Sequence, residues 1–133
     1  MDCPACEATM VAFVVPEAYR AHSPDGASAV ALCPSCLTLA PAQGDAPPPD
    51  DADFSRVLES FPAGEAGAAM ALAAGLLVDS LALHRDAVRE LFEAVSDAGE
   101  DPWLVLERLA AAGTVQPDAD LSKLRHQLDQ LWG

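Results

Sequence analysis

The sharpest chemistry in this 133-residue chain lies in four cysteines, set as two pairs: Cys3-Pro4-Ala5-Cys6 and Cys33-Pro34-Ser35-Cys36. A CxxC spacing holds two thiolates close together on one tight turn, and two such turns complete a tetrahedron around a single metal ion. Proline at the second position of each pair stiffens the turn and removes one competing N–H, so the remaining backbone N–H groups can point at the sulfurs. Between Cys6 and Cys33 lie 26 residues, enough for a strand, a loop and a returning strand. Ligand type and number favour one structural zinc ion on Cys3, Cys6, Cys33 and Cys36. Four thiolates saturate the ion and leave no position for a substrate or an activated water, so the metal is expected to hold the fold.

Other uses of the cysteines fit less well. Two disulfides need an oxidising compartment, and no export leader precedes Cys3, so a cytoplasmic chain is expected. A redox CxxC sits once, at a strand-to-helix turn of an α/β fold. Iron in a rubredoxin-like site takes the same four ligands and stays open.

The elements that must position these ligands are legible in outline. Thr9–Val15 (TMVAFVV) is β-branched and aromatic and stops at Pro16, which predicts a strand. Residues 23–28 (SPDGAS) are turn chemistry, with Asp25-Gly26 at the positive-φ position. Ala29–Leu32 predicts a second strand running into Cys33, and Leu37–Leu39 a short third. Composition changes near residue 41. Residues 41–53 hold Pro41, Pro47, Pro48 and Pro49 and no large apolar residue, a semi-rigid linker. Residues 54–133 read as helix almost throughout. Phe54, Val57, Leu58 and Phe61 fall at helical spacing after Asp53, a candidate N-cap, and Pro62 ends that run. Residues 65–98 read as one helix or as two with a bend near 84–86, on the stripe Leu77, Leu81, Val88, Leu91, Phe92 and Val95. Gly67, Ala71 and Gly75 lie four apart, a small-residue ridge that lets another helix approach. Asp101-Pro102 starts the next helix, which stops at Gly113, and the last follows Asp118 or Asp120. The expected architecture is α+β: two to three short strands over residues 1–40, a linker over 41–53, and four or five helices over 54–133. Forty residues bury too little surface to stand without a staple, which is what the cysteines supply.

The order CPxC–strand–turn–strand–CPxC, over residues 3 to about 39, resembles zinc ribbons and the small CPxCG-type zinc-finger proteins. Those families carry glycine after the second cysteine of each knuckle, at a left-handed position. Here the residues are Glu7 and Leu37. With its acidic, alanine-rich composition and helical tail, the chain resembles a haloarchaeal zinc-ribbon-like family, a resemblance that implies no particular activity.

Charge narrows the partners. Asp and Glu number 21 against 7 Lys and Arg, a net charge of −14, with Lys123 the sole lysine and 27 alanines. The excess is spread along the chain: net −4 over residues 1–46, −3 over 47–53 and −7 over 54–133. A surface of this kind disfavours phosphate-backbone and anionic-lipid binding. It suits molar salt, where a Debye length of ~3 Å screens self-repulsion. The longest charge-free apolar run, 66–78, is too short to span a bilayer.

Catalytic candidates do not assemble. His22, His84 and His126 are scattered, Asp79 marks a stripe edge, and Arg89 with Glu93 reads as an i,i+4 pair ahead of an anion site with Arg85, Arg108 and Arg125. No nucleophile–base pair follows from spacing, and an enzyme is not expected. Leu121, Leu124, Leu128 and Leu131 form a narrow seam, weighted towards the internal core over self-association, with Trp132 the better hint of an interface. The expectation is a zinc-stapled interaction or adaptor protein with a protein partner or self-association through the helices. The alternative is a nucleic-acid-binding regulator, against which stands Arg20 as the ribbon's sole cation. This reading predicts that Cys33→Ser unfolds residues 1–40 and leaves the helical signal largely intact.

Overall fold

The apolar residues of the N-terminal strands and of the helices close on one another in a single core. The computed structural model of the protein describes residues 2–42, 44–113, 115–117 and 119–132. Three strands, β1 (Val11–Val14), β2 (Ala29–Leu32) and β3 (Leu39–Pro41), form an antiparallel sheet in the order β1-β2-β3. Val11 pairs with Leu32 and Phe13 with Val30, and Leu32 pairs in turn with Leu39. Alternation sends Val11, Phe13, Val30 and Leu32 to one face, where they are buried among the helices. Ala31 faces the other way and packs with Met10, Cys3 and Cys33 in a small cluster beneath the cysteine knuckles. The chain between β1 and β2 turns through Asp25 and Gly26, both at positive φ (56° and 66°), as the turn chemistry predicts.

Four helices follow: α1 (Gly64–Asp79), α2 (Leu81–Asp97), α3 (Pro102–Ala111) and α4 (Leu121–Trp132). The fold is thus α+β, a small three-stranded sheet followed by a helical array. Every residue of α1 from Gly67 to Leu77 is buried, as befits a helix that is apolar on all sides and central to the core. Its neighbour α2 is amphipathic and buries Val88, Leu91, Phe92 and Val95. Asp101 caps α3 by accepting from the N–H groups of Trp103 (3.0 Å) and Leu104 (3.2 Å), ahead of the N1 proline. At the head of α4 the carboxylate of Asp120 accepts from the Lys123 N–H at 3.2 Å; Asp118 lies outside the described residues.

Several expectations change. The helix predicted from Phe54 to Phe61 is a single 3-10 turn, Phe54–Arg56. Asp53 does not cap it, because its carboxylate accepts the Ser55 hydroxyl instead. Packing replaces periodicity there: Phe54 meets Phe13 edge-on at 5.2 Å and stacks with Phe61 at 5.8 Å. The break in 65–98 falls at Ser80, not at 84–86. Ser80 is fully extended, ends α1 and accepts the Leu83 N–H at the start of α2. The third strand begins at Leu39, two residues later than expected, because Leu37 belongs to the knuckle turn.

The small-residue ridge is used, but not by a helix. A Cβ on Gly75 would lie 2.5 Å from the Leu39 Cβ of β3, and one on Gly67 would lie 2.4 Å from the Pro62 carbonyl. Bare glycine therefore lets the sheet and the Phe54 segment rest on α1. The leucine seam of α4 turns inward at Leu121, Leu124 and Leu128, while Leu131 stays exposed.

Within the stretch expected as a linker, Pro41 ends β3 and Pro49–Asp51 form a 3-10 turn. The carbonyl of Pro47 accepts the Val14 N–H at 2.8 Å, which covers the free edge of β1. Further ties cross between sheet and helical parts: Arg56 donates to the Thr9 carbonyl at 2.8 Å, and the Gln116 N–H donates to the Ser35 carbonyl at 2.6 Å. Among the described residues no helix is long and apolar enough to cross a membrane.

Candidate metal centre

Each cysteine pair sits on a turn that the backbone builds in the same way twice. In the first knuckle the Cys3 N–H donates to the Ala8 carbonyl (2.8 Å) and the Glu7 N–H to the Cys3 carbonyl (2.9 Å). In the second, the Cys33 N–H donates to the Thr38 carbonyl (2.9 Å) and the Leu37 N–H to the Cys33 carbonyl (3.0 Å). Closing this turn requires a left-handed residue after the second cysteine. Glu7 and Leu37 adopt it, at φ 66° and 61°, although neither is glycine. The Cβ in that region costs about 1–2 kcal/mol. At Glu7 the side chain is exposed and nothing offsets that cost. Glu7→Gly is therefore expected to stabilise the folded protein by about 0.5–1 kcal/mol, the relief of strain less the added freedom of the unfolded chain. Denaturant titration of the two proteins reads this directly, and an unchanged or lower midpoint would refute it.

The knuckles bring all four cysteines together. Their sulfurs lie within 4.8 Å of one another. Across the knuckles the Cys3 and Cys36 sulfurs are 3.6 Å apart and those of Cys6 and Cys33 are 3.3 Å apart. A tetrahedral ion with thiolates at about 2.3 Å requires sulfur separations of about 3.8 Å. These separations are close to that edge length and far beyond a disulfide bond of about 2.05 Å. Backbone donors already face the sulfurs: the Ala5 N–H lies 3.4 Å from Cys3 Sγ, and the Ser35 and Cys36 N–H groups each lie 3.4 Å from Cys33 Sγ. Such donors stabilise a thiolate, and a metal thiolate in particular. The donor set and its spacing fit a four-coordinate ion.

Burial divides the four cysteines. The first cysteine of each pair, Cys3 and Cys33, is buried, whereas Cys6 is exposed and Cys36 half-buried. One neighbour was not foreseen. Thr38 Oγ1 lies 3.0 Å from Cys36 Sγ, a polar contact whose sequence signature is merely a hydroxyl two residues past the knuckle.

The metal-free thiols differ in acidity. Burial pushes Cys33 up to about 12, helped by its contacts with the Cys6 and Cys36 thiols and only partly offset by the Cys36 and Ser35 N–H groups. Burial also works upward on Cys3. There the Ala5 and Cys6 N–H groups and the Cys36 and Cys33 thiols outweigh it, leaving Cys3 at about 7. A metal that takes four thiolates must expel the protons that free thiols hold, so its affinity rises with pH up to the ordinary thiol range, by about tenfold per unit for each proton displaced. Competition against a metal indicator across this range tests the sign, and a flat profile would exclude the thiols as ligands.

The remaining candidates stay apart from the cysteines. His22 pairs with Glu90 of α2 at 2.7 Å, His84 with Asp79 at 2.9 Å across the α1–α2 break, and His126 contacts Gln130 at 3.3 Å. Asp79 is exposed at the end of α1. Arg89 and Glu93 form the expected i,i+4 pair at 3.6 Å.

A three-stranded antiparallel sheet with four cysteines on two knuckles, docked on a helical array, is a protein with a zinc-ribbon-like site. The chain belongs to the family of unknown function DUF6276, whose family model matches residues 2–132. No curated protein and no solved structure matches it.

Proposed function

We propose that this protein is a zinc-stapled interaction protein, in which one ion on Cys3, Cys6, Cys33 and Cys36 secures the sheet and the helices offer the contact surface. The observation that carries the metal is the convergence of four sulfurs within 4.8 Å on two matching turns. Zinc is the ion that four thiolates most often hold in a purely structural role. A saturated thiolate set supplies no open coordination position, which favours scaffolding over catalysis.

A net charge of −14 spread over the chain supports a surface suited to molar salt, as in haloarchaea, and a protein partner in preference to nucleic acid. The ribbon's cation, Arg20, donates its Nε–H to the Val15 carbonyl at 3.3 Å. It offers no basic cluster to a phosphate backbone.

Two measurements test the proposal. Elemental analysis of purified protein is expected to give one zinc per chain, and one iron with a coloured sample would replace zinc. Affinity purification from native lysate in molar KCl, with and without nuclease, is expected to recover the same protein partner in both. Recovery that vanishes with nuclease would overturn the protein-partner reading.

A further inference from the structure

The chain has two tryptophans, and the fold brings both to one place. Trp103 of α3 and Trp132 of α4 lie 6.1 Å apart at 75°, and each meets Phe92 of α2 nearly edge-on, at 5.4 and 5.8 Å. Phe92 is buried and the two indoles are half-buried, so the phenyl is the floor and the indoles are the walls. They border a groove of about 310 Å³. That volume is at the lower end for ligand sites, enough for one long side chain and too small for a dinucleotide-sized cofactor.

The rim is acidic. Glu93 and Asp97 lie four residues apart on α2, hence on the same face, and both line the groove. Glu93 is partly neutralised by Arg89 at 3.6 Å, but that pair is mostly exposed and contributes little. Among the described residues Asp97 has no ion-pair partner. Its charge is felt nearby: burial first, then the Glu65 and Asp97 carboxylates, push the Tyr19 phenol above its ordinary value.

Aromatic walls with carboxylates at the rim are the chemistry that receives a cation. We propose that this groove takes an arginine side chain presented by a basic segment of a partner protein. A planar guanidinium stacks on an indole and presents several N–H groups to the carboxylates, which a compact ammonium cannot do together. A second copy is the poorer occupant, since it holds 7 Lys and Arg against 21 Asp and Glu and no basic segment to present. This assignment rests on the interaction-protein reading and specifies the chemistry of its partner.

Because both tryptophans lie here, their fluorescence is a local readout. Titration of the intact protein with N-acetylarginine amide is expected to give a saturable change at about millimolar concentration, as a ligand of this size allows. The uncharged citrulline analogue is expected to bind about tenfold more weakly. Asp97→Asn and Glu93→Gln, both at exposed positions, are each expected to weaken arginine binding about two- to fivefold. Equal responses to arginine and citrulline, or arginine binding unmoved by both variants, would overturn the assignment. So would a fluorescence change that tracks protein concentration without ligand, which would make a second copy the occupant. The two levels fail separately. A flat titration with nuclease-resistant partner recovery intact removes the groove and leaves the interaction reading. Arginine binding with no nuclease-resistant partner removes the reading itself.

Discussion

Chelating the metal, or replacing Cys33 with serine, is expected to unfold the whole chain in one transition, with sheet and helix signals lost together. The reason is the shared core. Val11, Phe13, Val15, Val30, Leu32 and Leu37 of the ribbon are buried against the Phe54 segment and the helices. At about 1.5–3 kcal/mol each, their burial amounts to on the order of 10 kcal/mol, comparable with the entire stability of a domain this size. Helix α1, buried all along Gly67–Leu77, would face water if the sheet came away. The Gln116–Ser35 hydrogen bond ties the second knuckle to the connection between α3 and α4 as well. Structural zinc in small domains contributes about 10–16 kcal/mol of apparent binding free energy, so its loss exceeds what such a core can absorb. Far-ultraviolet circular dichroism during a chelator titration in molar KCl reads the outcome. A residual helical plateau with its own later thermal transition would show the two parts to be independent.

Leu37→Gly is expected to destabilise the protein by about 2–4 kcal/mol, the opposite sign to Glu7→Gly. Both residues occupy the left-handed position of a knuckle, and both changes relieve the same backbone strain. The difference is burial. Leu37 is fully buried in the main core, and removing a buried leucine side chain costs about 2–5 kcal/mol, more than the relief returns. Under the proposed metal staple, metal affinity should fall with stability, because an ion that binds the folded form alone couples binding to folding. Thermal melts and chelator competition on the paired variants test this. A Leu37→Gly protein as stable as the parent would show that the second knuckle does not rely on the core beneath it.

Much of the site was legible because cysteine chemistry is local in its logic. The CPxC spacing, the proline within each pair and the strand patterns between them lead to four converging thiols without knowledge of anything beyond residue 40. Caps were legible for the same reason at Asp101, where an aspartate before proline accepts from N–H groups two and three residues on. The errors arose where a distant contact overrode a local pattern. Phe54–Phe61 has helical spacing, but Phe54 is held by Phe13 and Phe61, and Asp53 is occupied by Ser55. Gly67 and Gly75 have the spacing of a helix-packing ridge, yet a loop and a β-strand fill it.

The sequence by itself determined the four converging cysteines, the strand–turn–strand order between them, the helical character of the C-terminal part and the acidic composition. Each follows from residue type and short-range spacing. Tertiary structure alone decided that ribbon and helices share one core, that Leu37 belongs to it, and that Phe92, Trp103 and Trp132 meet beside Glu93 and Asp97. These depend on which apolar faces find one another across long stretches of chain, and hydrophobic burial is non-directional, so no local pattern encodes the choice.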